Sequence, residues 1–241
     1  ITKDANVLSE LSKVINIGPK IAKQLIDKYN IKTVKELKTR IKKGEIEVND
    51  KIMMGLKYYG VIKENIPRKE IDSYEKIFQE EISKLEGYNS LGIILIIAGS
   101  YRRQKDTSND IDILISAKNI DTNKNYQKMD RNILTEFLTR LKKRKILVDN
   151  LTDFENSTKY MGFSKMPRKP VRRIDVRFVP FESYYYALLY FTGSYELNRE
   201  MRILAKQKGY KLNEYGLFKI LEDGKISRAR IKVNSEEDIF K

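Results

Sequence analysis

The sequence of 241 residues contains no cysteine, no histidine and no tryptophan. Without cysteine it forms no disulfides and offers no thiolate ligands. Without histidine, imidazole metal sites, Ser-His triads and histidine general bases are excluded. Any chemistry must therefore use carboxylates, lysine, arginine, tyrosine or a metal ion. The absence of disulfides is typical of a reducing, intracellular compartment.

Long hydrophobic runs are also missing. No apolar stretch approaches the roughly 18 residues of a spanning helix, and the sequence shows no secretory signal pattern. We therefore expect no membrane partner. The chain opens on Ile1, from which we expect a processed or truncated product.

Acidic residues are fewer than basic residues. The chain has 48 lysine and arginine residues against 33 aspartate and glutamate residues, a net charge of +15. A strongly basic balance is typical of proteins whose partner carries phosphates, so we predict a nucleic-acid partner. Charge that serves only solubility is the alternative.

The first 67 residues carry a helical pattern that turns sharply once. Apolar residues recur at helical spacing up to the turn residues Asn16-Ile17-Gly18-Pro19, and a second helix is predicted at Lys20–Tyr29. A third follows at Ile31–Ile41, with Thr33 as N-cap and Glu36 at the capping-box position. This pattern indicates a helix-hairpin-helix, with a plain helical hairpin as the alternative.

The rest of the chain alternates helical and strand patterns. Its organisation is that of an α+β protein in three parts, at residues 1–67, 68–180 and 181–241. The predicted helices are Ile71–Leu85, Asn125–Lys143, Ser183–Leu189 and Leu197–Lys208; the predicted strands are Leu91–Ala98, Ile111–Ile115, Ile146–Val148, Lys159–Phe163 and Ile174–Val179, followed by a hairpin of Lys211–Leu221 and Ile226–Val233 that turns at Asp223-Gly224.

A phosphate-binding turn is predicted directly after the strand Leu91–Ala98. Gly99 lets the backbone approach a ligand, and the Ser100 hydroxyl with nearby amides can meet phosphate oxygens. Arg102 and Arg103 follow, and we expect one of them to face the site while the other supports the fold. Further hydroxyl and amide donors stand at Ser108 and Asn109.

Three carboxylates follow this turn. Asp110 and Asp112 lie two residues apart in an alternating segment, so a strand places both side chains on one face. Asp175 lies in a second alternating strand between Arg173 and Arg177, where an arginine can orient it. Because aligned carboxylates repel one another without a cation, we predict a two-metal site for Mg²⁺. A solvated strand face and, for Asp175, a surface ion pair are the alternatives.

These motifs resemble those of family X DNA polymerases of the beta and lambda type over almost the whole chain. The resemblance implies helical fingers with the helix-hairpin-helix, a nucleotidyltransferase-type palm with a mixed β-sheet, and a small α+β thumb. We expect no lyase activity, because no amino-terminal lyase domain precedes the hairpin in this sequence. The resemblance is carried by Gly99-Ser100-Tyr101-Arg102-Arg103, Asp110-Ile111-Asp112, Arg173-Ile174-Asp175, and Tyr190-Phe191-Thr192-Gly193-Ser194 with Asn198 and Arg202.

The resemblance also implies a role for each site residue. Asp110 and Asp112 would bind both Mg²⁺ ions, with Mn²⁺ as a substitute, and Asp175 would join them on the ion that activates the primer 3′-hydroxyl. The hairpin would hold a monovalent cation. Nucleotide binding is implied for Ser100, Arg103, Ser108, Asn109, Tyr190, Phe191, Gly193 and Asn198, and DNA binding for Gly18, Lys20, Lys23, Arg173 and Arg202. Core packing of Tyr190 and Phe191 and a solvated face for the two lysines are the alternatives.

The sequence departs from the family pattern at three turns. Gln104 and Asn109 stand where glycines are usual, and Asn16 replaces a glycine of the hairpin. Because asparagine tolerates positive φ, we expect the turns to survive. The connection between Tyr160 and Arg172 is short, whereas template-independent relatives have a longer loop there, which predicts template-directed synthesis.

The function expected from this pattern is addition of deoxynucleotides to gapped or nicked duplex DNA during repair, by a monomer located where DNA is repaired, in the nucleus, the cytoplasm or a virion. A template-independent nucleotidyltransferase acting on nucleic-acid ends and a non-catalytic DNA-binding module are the alternatives.

Overall fold

The computed structural model describes residues 2–62, 65–153, 155 and 157–241, with side chains from Asp4 onward. The chain divides into two compact units, Ile1–Lys63 and Glu64–Lys241, and the segments predicted as palm and thumb belong to the second. The helices are α1 (Thr2–Ser12), α2 (Pro19–Tyr29), α3 (Val34–Lys42), α4 (Asp50–Tyr58), α5 (Arg68–Ser83), α6 (Tyr88–Leu91), α7 (Gly99–Arg102), α8 (Asn123–Gln127), α9 (Ile133–Lys143), α10 (Tyr184–Thr192) and α11 (Tyr195–Gln207). The strands are β1 (Ile66–Pro67), β2 (Ile93–Ile97), β3 (Thr107–Ser108), β4 (Ile111–Ala117), β5 (Leu147–Asn150), β6 (Lys159–Ser164), β7 (Arg172–Phe178), β8 (Tyr210–Asn213), β9 (Gly216–Ile220) and β10 (Ile226–Arg230).

The first unit consists of helices α1 to α4 around one apolar core. Asn16 has a φ of 68° in the turn before α2, and Pro19 occupies the first turn of that helix, where its missing N–H costs nothing. The predicted cap is confirmed: Thr33 Oγ1 accepts from the Glu36 amide at 3.0 Å. Helix α3 therefore begins at Val34 rather than at Ile31. Helix α4, with Asn49 as N-cap, was not predicted.

The second unit is built on a five-stranded sheet in the order β2-β4-β7-β6-β5. Strands β4 and β7 run parallel and the other neighbours are antiparallel, so the predicted mixed sheet is confirmed. Helices α5 and α9 contribute to a large apolar cluster on one face, where Tyr74, Phe78 and Phe137 are fully buried. Helix α10 covers the other face at β4. Because both faces of the sheet are covered, the sequence of β2 is apolar without interruption.

The prediction of one helix at Asn125–Lys143 is wrong, because this segment forms two helices. Helix α8 ends at Gln127, and α9 begins after Asn132. The Asn132 side chain accepts from the Thr135 amide at 2.9 Å and from the Tyr126 hydroxyl at 3.1 Å. An asparagine used as an N-cap satisfies the free amides of a new helix, so the chain restarts there.

The carboxyl-terminal part contains α10, α11 and a three-stranded antiparallel sheet in the order β10-β9-β8. The single strand predicted at Lys211–Leu221 is wrong. Asn213 Oδ1 accepts from the amides of Tyr215 and Gly216, which closes a turn between β8 and β9. The turn at Asp223-Gly224 is confirmed by the pairing of β9 with β10. Across the described residues we find no helix long and apolar enough to cross a membrane.

Candidate active site

Three aspartates meet at one edge of the five-stranded sheet. The parallel register of β4 and β7 puts Asp112 opposite Asp175, and Asp110 lies one residue before β4. One carboxylate oxygen from each of the three lies within 4.8 Å of the others. Side chains two apart on a strand share a face, which explains how the Asp-Ile-Asp spacing builds the group. No other group of three acidic residues close enough to hold a metal ion occurs in the described part of the chain.

The electrostatics of this group favour a cation. Burial, followed by the charges of Asp110 and Asp175, raises the pKa of Asp112 to about 7. Burial, followed by the charge of Asp175, also raises the pKa of Asp110. A bound divalent ion would reverse both effects by favouring the ionised carboxylates. The all-oxygen donor set therefore fits Mg²⁺ or Mn²⁺.

Arg173 orients one of the three carboxylates. Its Nη2 donates to Asp175 Oδ1 at 2.7 Å, and its Nη1 donates to the Gly162 carbonyl at 2.5 Å. The arginine is thereby fixed between two neighbouring strands. Asp175 therefore forms the ion pair that was the alternative for it, with Arg173, and it also belongs to the group of three carboxylates.

Gly99 follows β2 at a position where a neighbouring carboxylate leaves no room for a side chain. Its φ is +60°, and a Cβ at this position would lie 2.5 Å from Asp112 Oδ2. The Gly-Ser motif therefore begins a short helix, α7, pressed directly against a carboxylate. A side chain at position 99 would displace that carboxylate.

A cavity of about 450 Å³ adjoins the carboxylates. The phosphate-binding motif and the start of α11 form parts of its wall, and Asp110 and Asp112 lie in it. All eight residues for which nucleotide binding is implied line this cavity: Ser100, Arg103, Ser108, Asn109, Tyr190, Phe191, Gly193 and Asn198. The structure thus brings these residues together beside the carboxylates.

The two consecutive arginines have different surroundings, as expected. Arg103 lines the cavity and donates from Nη1 to the Thr192 carbonyl at 2.5 Å. Arg102 forms two hydrogen bonds to the Glu236 carboxylate, at 2.9 and 2.6 Å, and one to Thr192 Oγ1. Arg102 therefore supports the fold by joining α7 to the carboxyl-terminal segment.

Two polar atoms of the cavity residues have no hydrogen-bond partner among the described residues. They are Ser108 Oγ and Asn198 Oδ1, and both are buried. The Asn198 amide nitrogen donates to the Tyr190 carbonyl at 2.7 Å, which fixes the direction of its oxygen. Buried polar groups are usually satisfied, so these two atoms indicate a polar ligand.

Tyr190 and Phe191 serve both packing and lining. Their rings meet edge to face at 5.1 Å, and Phe191 packs against the apolar cluster under α10. The Arg177 guanidinium lies 4.6 Å from the Phe191 ring centre, and that of Arg202 lies 5.9 Å from the Tyr190 ring centre. Tyr190 and Phe191 thus pack against neighbouring groups, as the core-packing alternative expected, but both also line the cavity.

Positive φ occurs at one of the two altered turns of the site. Gln104 adopts a φ of 64°, whereas Asn109 is not among the residues with positive φ. The turn at Asn109 therefore does not need an asparagine's tolerance for positive φ, whereas Asn16 does adopt a positive φ. A glutamine carries the strain instead.

Sequence reasoning missed Thr107 and Tyr195, which also line the cavity. Tyr195 is the first residue of α11, is 74% exposed, and directly follows the Gly-Ser pair that ends the fourth motif. That position, at the start of a helix beside an implied nucleotide site, was the signal that could have found it.

The predicted DNA-binding residues are distributed over both units. Gly18 is the N-cap of α2 in the first unit, followed by the exposed Lys20 and Lys23. Arg173 lies beside the carboxylates, and Arg202 Nε donates to the Asn198 carbonyl at 3.3 Å. The latter two are thus part of the second unit's site.

Comparison with known proteins gives consistent matches. Residues 65–181 match the family described as DNA polymerase beta palm, and residues 187–241 match DNA polymerase beta thumb. The chain is 32% identical to DNA polymerase lambda of Arabidopsis thaliana over 97% of its own length and 44% of that protein, and 31% identical to DNA polymerase lambda of Rattus norvegicus over 78% and 33%. It is 25% identical to DNA nucleotidylexotransferase of Xenopus laevis over 96% of its length and 49% of that protein. The chain spans less than half the length of these curated relatives.

Proposed function

Since this chain belongs to the family X DNA polymerases, we propose that it adds deoxynucleotides to a primer 3′-hydroxyl under the direction of a template. The observation that carries this proposal is the meeting of three carboxylates, within 4.8 Å, with a polar cavity that contains two unsatisfied buried atoms. The proposed catalytic group and the proposed nucleotide site are therefore adjacent.

Asp110, Asp112 and Asp175 would hold two divalent ions, with Mg²⁺ as the ordinary ion and Mn²⁺ as a substitute. When bound, such ions supply a lowered pKa for the attacking hydroxyl and charge stabilisation for the departing pyrophosphate. Arg173 keeps the Asp175 carboxylate turned toward the group through its bond to Oδ1. Gly99 leaves the space that Asp112 occupies.

The cavity would hold the nucleotide with its phosphates at the carboxylate end. Ser100, Arg103, Ser108 and Asn109 supply hydroxyl, guanidinium and amide donors there. At the other end Tyr190 and Phe191 would contact the sugar. Gly193 would let the nucleotide approach the backbone closely, and Asn198 would contact the base. The free oxygens of Ser108 and Asn198 stand at these two ends and would be satisfied by the ligand.

DNA would be held by both units. Gly18, Lys20 and Lys23 at the amino end of α2 suit phosphate contacts, because a helix amino terminus presents free amides. Backbone carbonyls of the hairpin turn would hold a monovalent cation. Arg173 and Arg202 would contact the strands next to the cavity. We further propose a monomer that acts on gapped or nicked duplex DNA, as in repair inside the cell.

Extension of a labelled primer across a single-nucleotide gap tests this function. The protein with Mg²⁺ and the complementary deoxynucleotide should extend the primer, and Asp175→Asn should lower the rate at least about a hundredfold, because one metal ligand becomes neutral. Equal extension by the variant would contradict the role of Asp175 in this proposal, and no extension by the wild-type protein would support the non-catalytic alternative.

The similarity to a DNA nucleotidylexotransferase makes template-independent addition the second candidate. A single-stranded primer without template separates the two. We expect extension only when the template is present; efficient tailing of the single strand would favour the second candidate.

A further inference from the structure

The turn between β6 and β7 concentrates positive charge. Residues 157–174 contain six lysine and arginine residues and no carboxylate. Four of the six, Lys159, Lys165, Arg168 and Lys169, are exposed, and the last three lie between the two strands. None of these three forms an ion pair with any residue that the structure describes. We call them the cationic turn.

The backbone of the cationic turn is firmly anchored. Met166 is buried in the core cluster of the sheet. The Lys165 amide donates to the Ile146 carbonyl at 2.9 Å. At the start of β7, Arg172 forms two buried hydrogen bonds to Glu70, at 2.9 and 2.8 Å. Cations on a fixed backbone lose less entropy on binding than cations on a free loop.

One residue of the turn adopts a conformation that favours glycine. The Lys169 amide donates to the Met166 carbonyl at 3.1 Å, which places Pro167 and Arg168 at the centre of the turn. Arg168 has a φ of +60°. Glycine or asparagine is preferred at this third position, so arginine costs stability there. A strained and exposed arginine indicates a use for its side chain.

The cationic turn projects from the same sheet edge as the metal-binding carboxylates. Strand β4 begins at Ile111, which pairs with Ile174, so β7 and the preceding turn extend beyond that edge, where Asp110 lies. Lys165 directly follows the end of β6, and within β6 Phe163 is paired with Arg173 and lies on the same face as that arginine. That face is also the face of Asp175.

We propose that the cationic turn binds backbone phosphates of the DNA duplex whose primer end lies at the three aspartates. The six residues from Asp175 back to Lys169 span at most about 20 Å at 3.3 Å per residue. This length corresponds to roughly six base pairs at 3.4 Å each. The inference rests on the proposed function, because it places the duplex end at the carboxylates.

Salt dependence of DNA binding tests this inference. In a variant with Lys165→Gln, Arg168→Gln and Lys169→Gln, the slope of log affinity against log salt should become shallower by about 2 to 3, since each phosphate contact contributes about 0.9. Affinity for gapped duplex at low salt should fall at least about tenfold. Fluorescence anisotropy between 50 and 200 mM salt, with Ca²⁺ in place of Mg²⁺, measures both quantities without turnover.

A matched control removes the same charge at the far end of β4. Lys118, Lys124 and Lys128 are exposed and lie after the carboxyl end of that strand or on α8. Their triple change to glutamine should alter the slope by less than about 1, because these side chains contact no phosphate. An equal change of slope in both triple variants would show a general charge effect and overturn the inference.

The single variant Arg168→Gly separates binding from folding. Glycine relieves the positive φ, so the melting temperature should stay the same or rise, while the salt slope becomes shallower by about 1. An unchanged slope would overturn the role of Arg168.

The two possible failures are distinguishable. If the wild-type protein neither binds nor extends gapped duplex, the proposed function fails. If the wild-type protein extends the primer but the triple variant keeps the wild-type slope, only the cationic turn is wrong.

Discussion

A Cβ added to Gly99 would lie 2.5 Å from Asp112 Oδ2, closer than real Cβ contacts come. The glycine follows the end of β2 by two residues and the aspartate lies in the neighbouring strand β4, so the pairing of two buried strands brings them together. The Gly-Ser motif and the Asp-Ile-Asp motif are therefore one structural feature.

Gly99→Ala should abolish most activity. The new methyl group must displace the Asp112 carboxylate, and we expect a fall in the extension rate of about a hundredfold or more. The control is Gly209→Ala, because Gly209 also has a positive φ, of +83°, but a methyl group there would meet no other atom within 4 Å. It should lose similar stability and keep its activity. Comparable rates for the two variants would contradict the clash.

Asp112→Asn should stabilise the metal-free protein at high pH. Burial and two neighbouring charges raise the pKa of Asp112 to about 7 in the folded state. A raised carboxyl pKa means that stability is complete below the unfolded pKa and is lost as pH rises through the folded pKa. In EDTA the variant should melt a few degrees above the wild type at pH 8 and at nearly the same temperature at pH 4. A lower melting temperature at pH 8 would refute this.

Tyr195→Ala should weaken nucleotide binding. The ring lines the cavity and is 74% exposed, at the end where the base is proposed to lie. Stacking of a base on an aromatic ring contributes about 1–3 kcal/mol, so the nucleotide dissociation constant should rise about 5-fold to 150-fold. Tyr195→Phe should behave as wild type, and Tyr215→Ala, outside the cavity, serves as control. Equilibrium binding with Ca²⁺ gives the values, and an unchanged constant for Tyr195→Ala would argue against stacking.

Arg172→Met should destabilise the second unit. Arg172 and Glu70 are each 4% exposed at the side chain, so the change leaves a buried carboxylate without its cation. Such a loss costs about 3–5 kcal/mol. The exposed pair of Lys225 and Asp223 offers a contrast, because Lys225→Met should cost less than about 1 kcal/mol. Chemical denaturation measures both, and equal losses would disprove the role of burial.

The site residues were predictable from sequence because strand periodicity fixes them. Asp110 and Asp112 converge because of a two-residue spacing, and the apolar run before Gly99 directly indicates a strand with both faces covered. The pairing of β4 with β7, which brings in Asp175, is a long-range contact with no local signal. The alternating strand around Asp175 made it a candidate, and the resemblance to a family supported its place beside the other two.

The errors lie where a single side chain ends an element. Asn132 starts a new helix and Asn213 closes a tight turn, in both cases by accepting backbone amides. Apolar periodicity continues across both positions, so it merges the two elements. Tyr195 was missed for a similar reason, since its exposure depends on where α11 begins.

Titration of Mn²⁺ followed by electron paramagnetic resonance, in the presence of a deoxynucleoside triphosphate, tests the central claim that three aspartates gather two divalent ions. The wild-type protein should bind two ions per chain, and Asp112→Asn should lose at least one of them. A wild-type chain that binds no Mn²⁺, or a variant that binds as many ions with the same affinity, would contradict the claim.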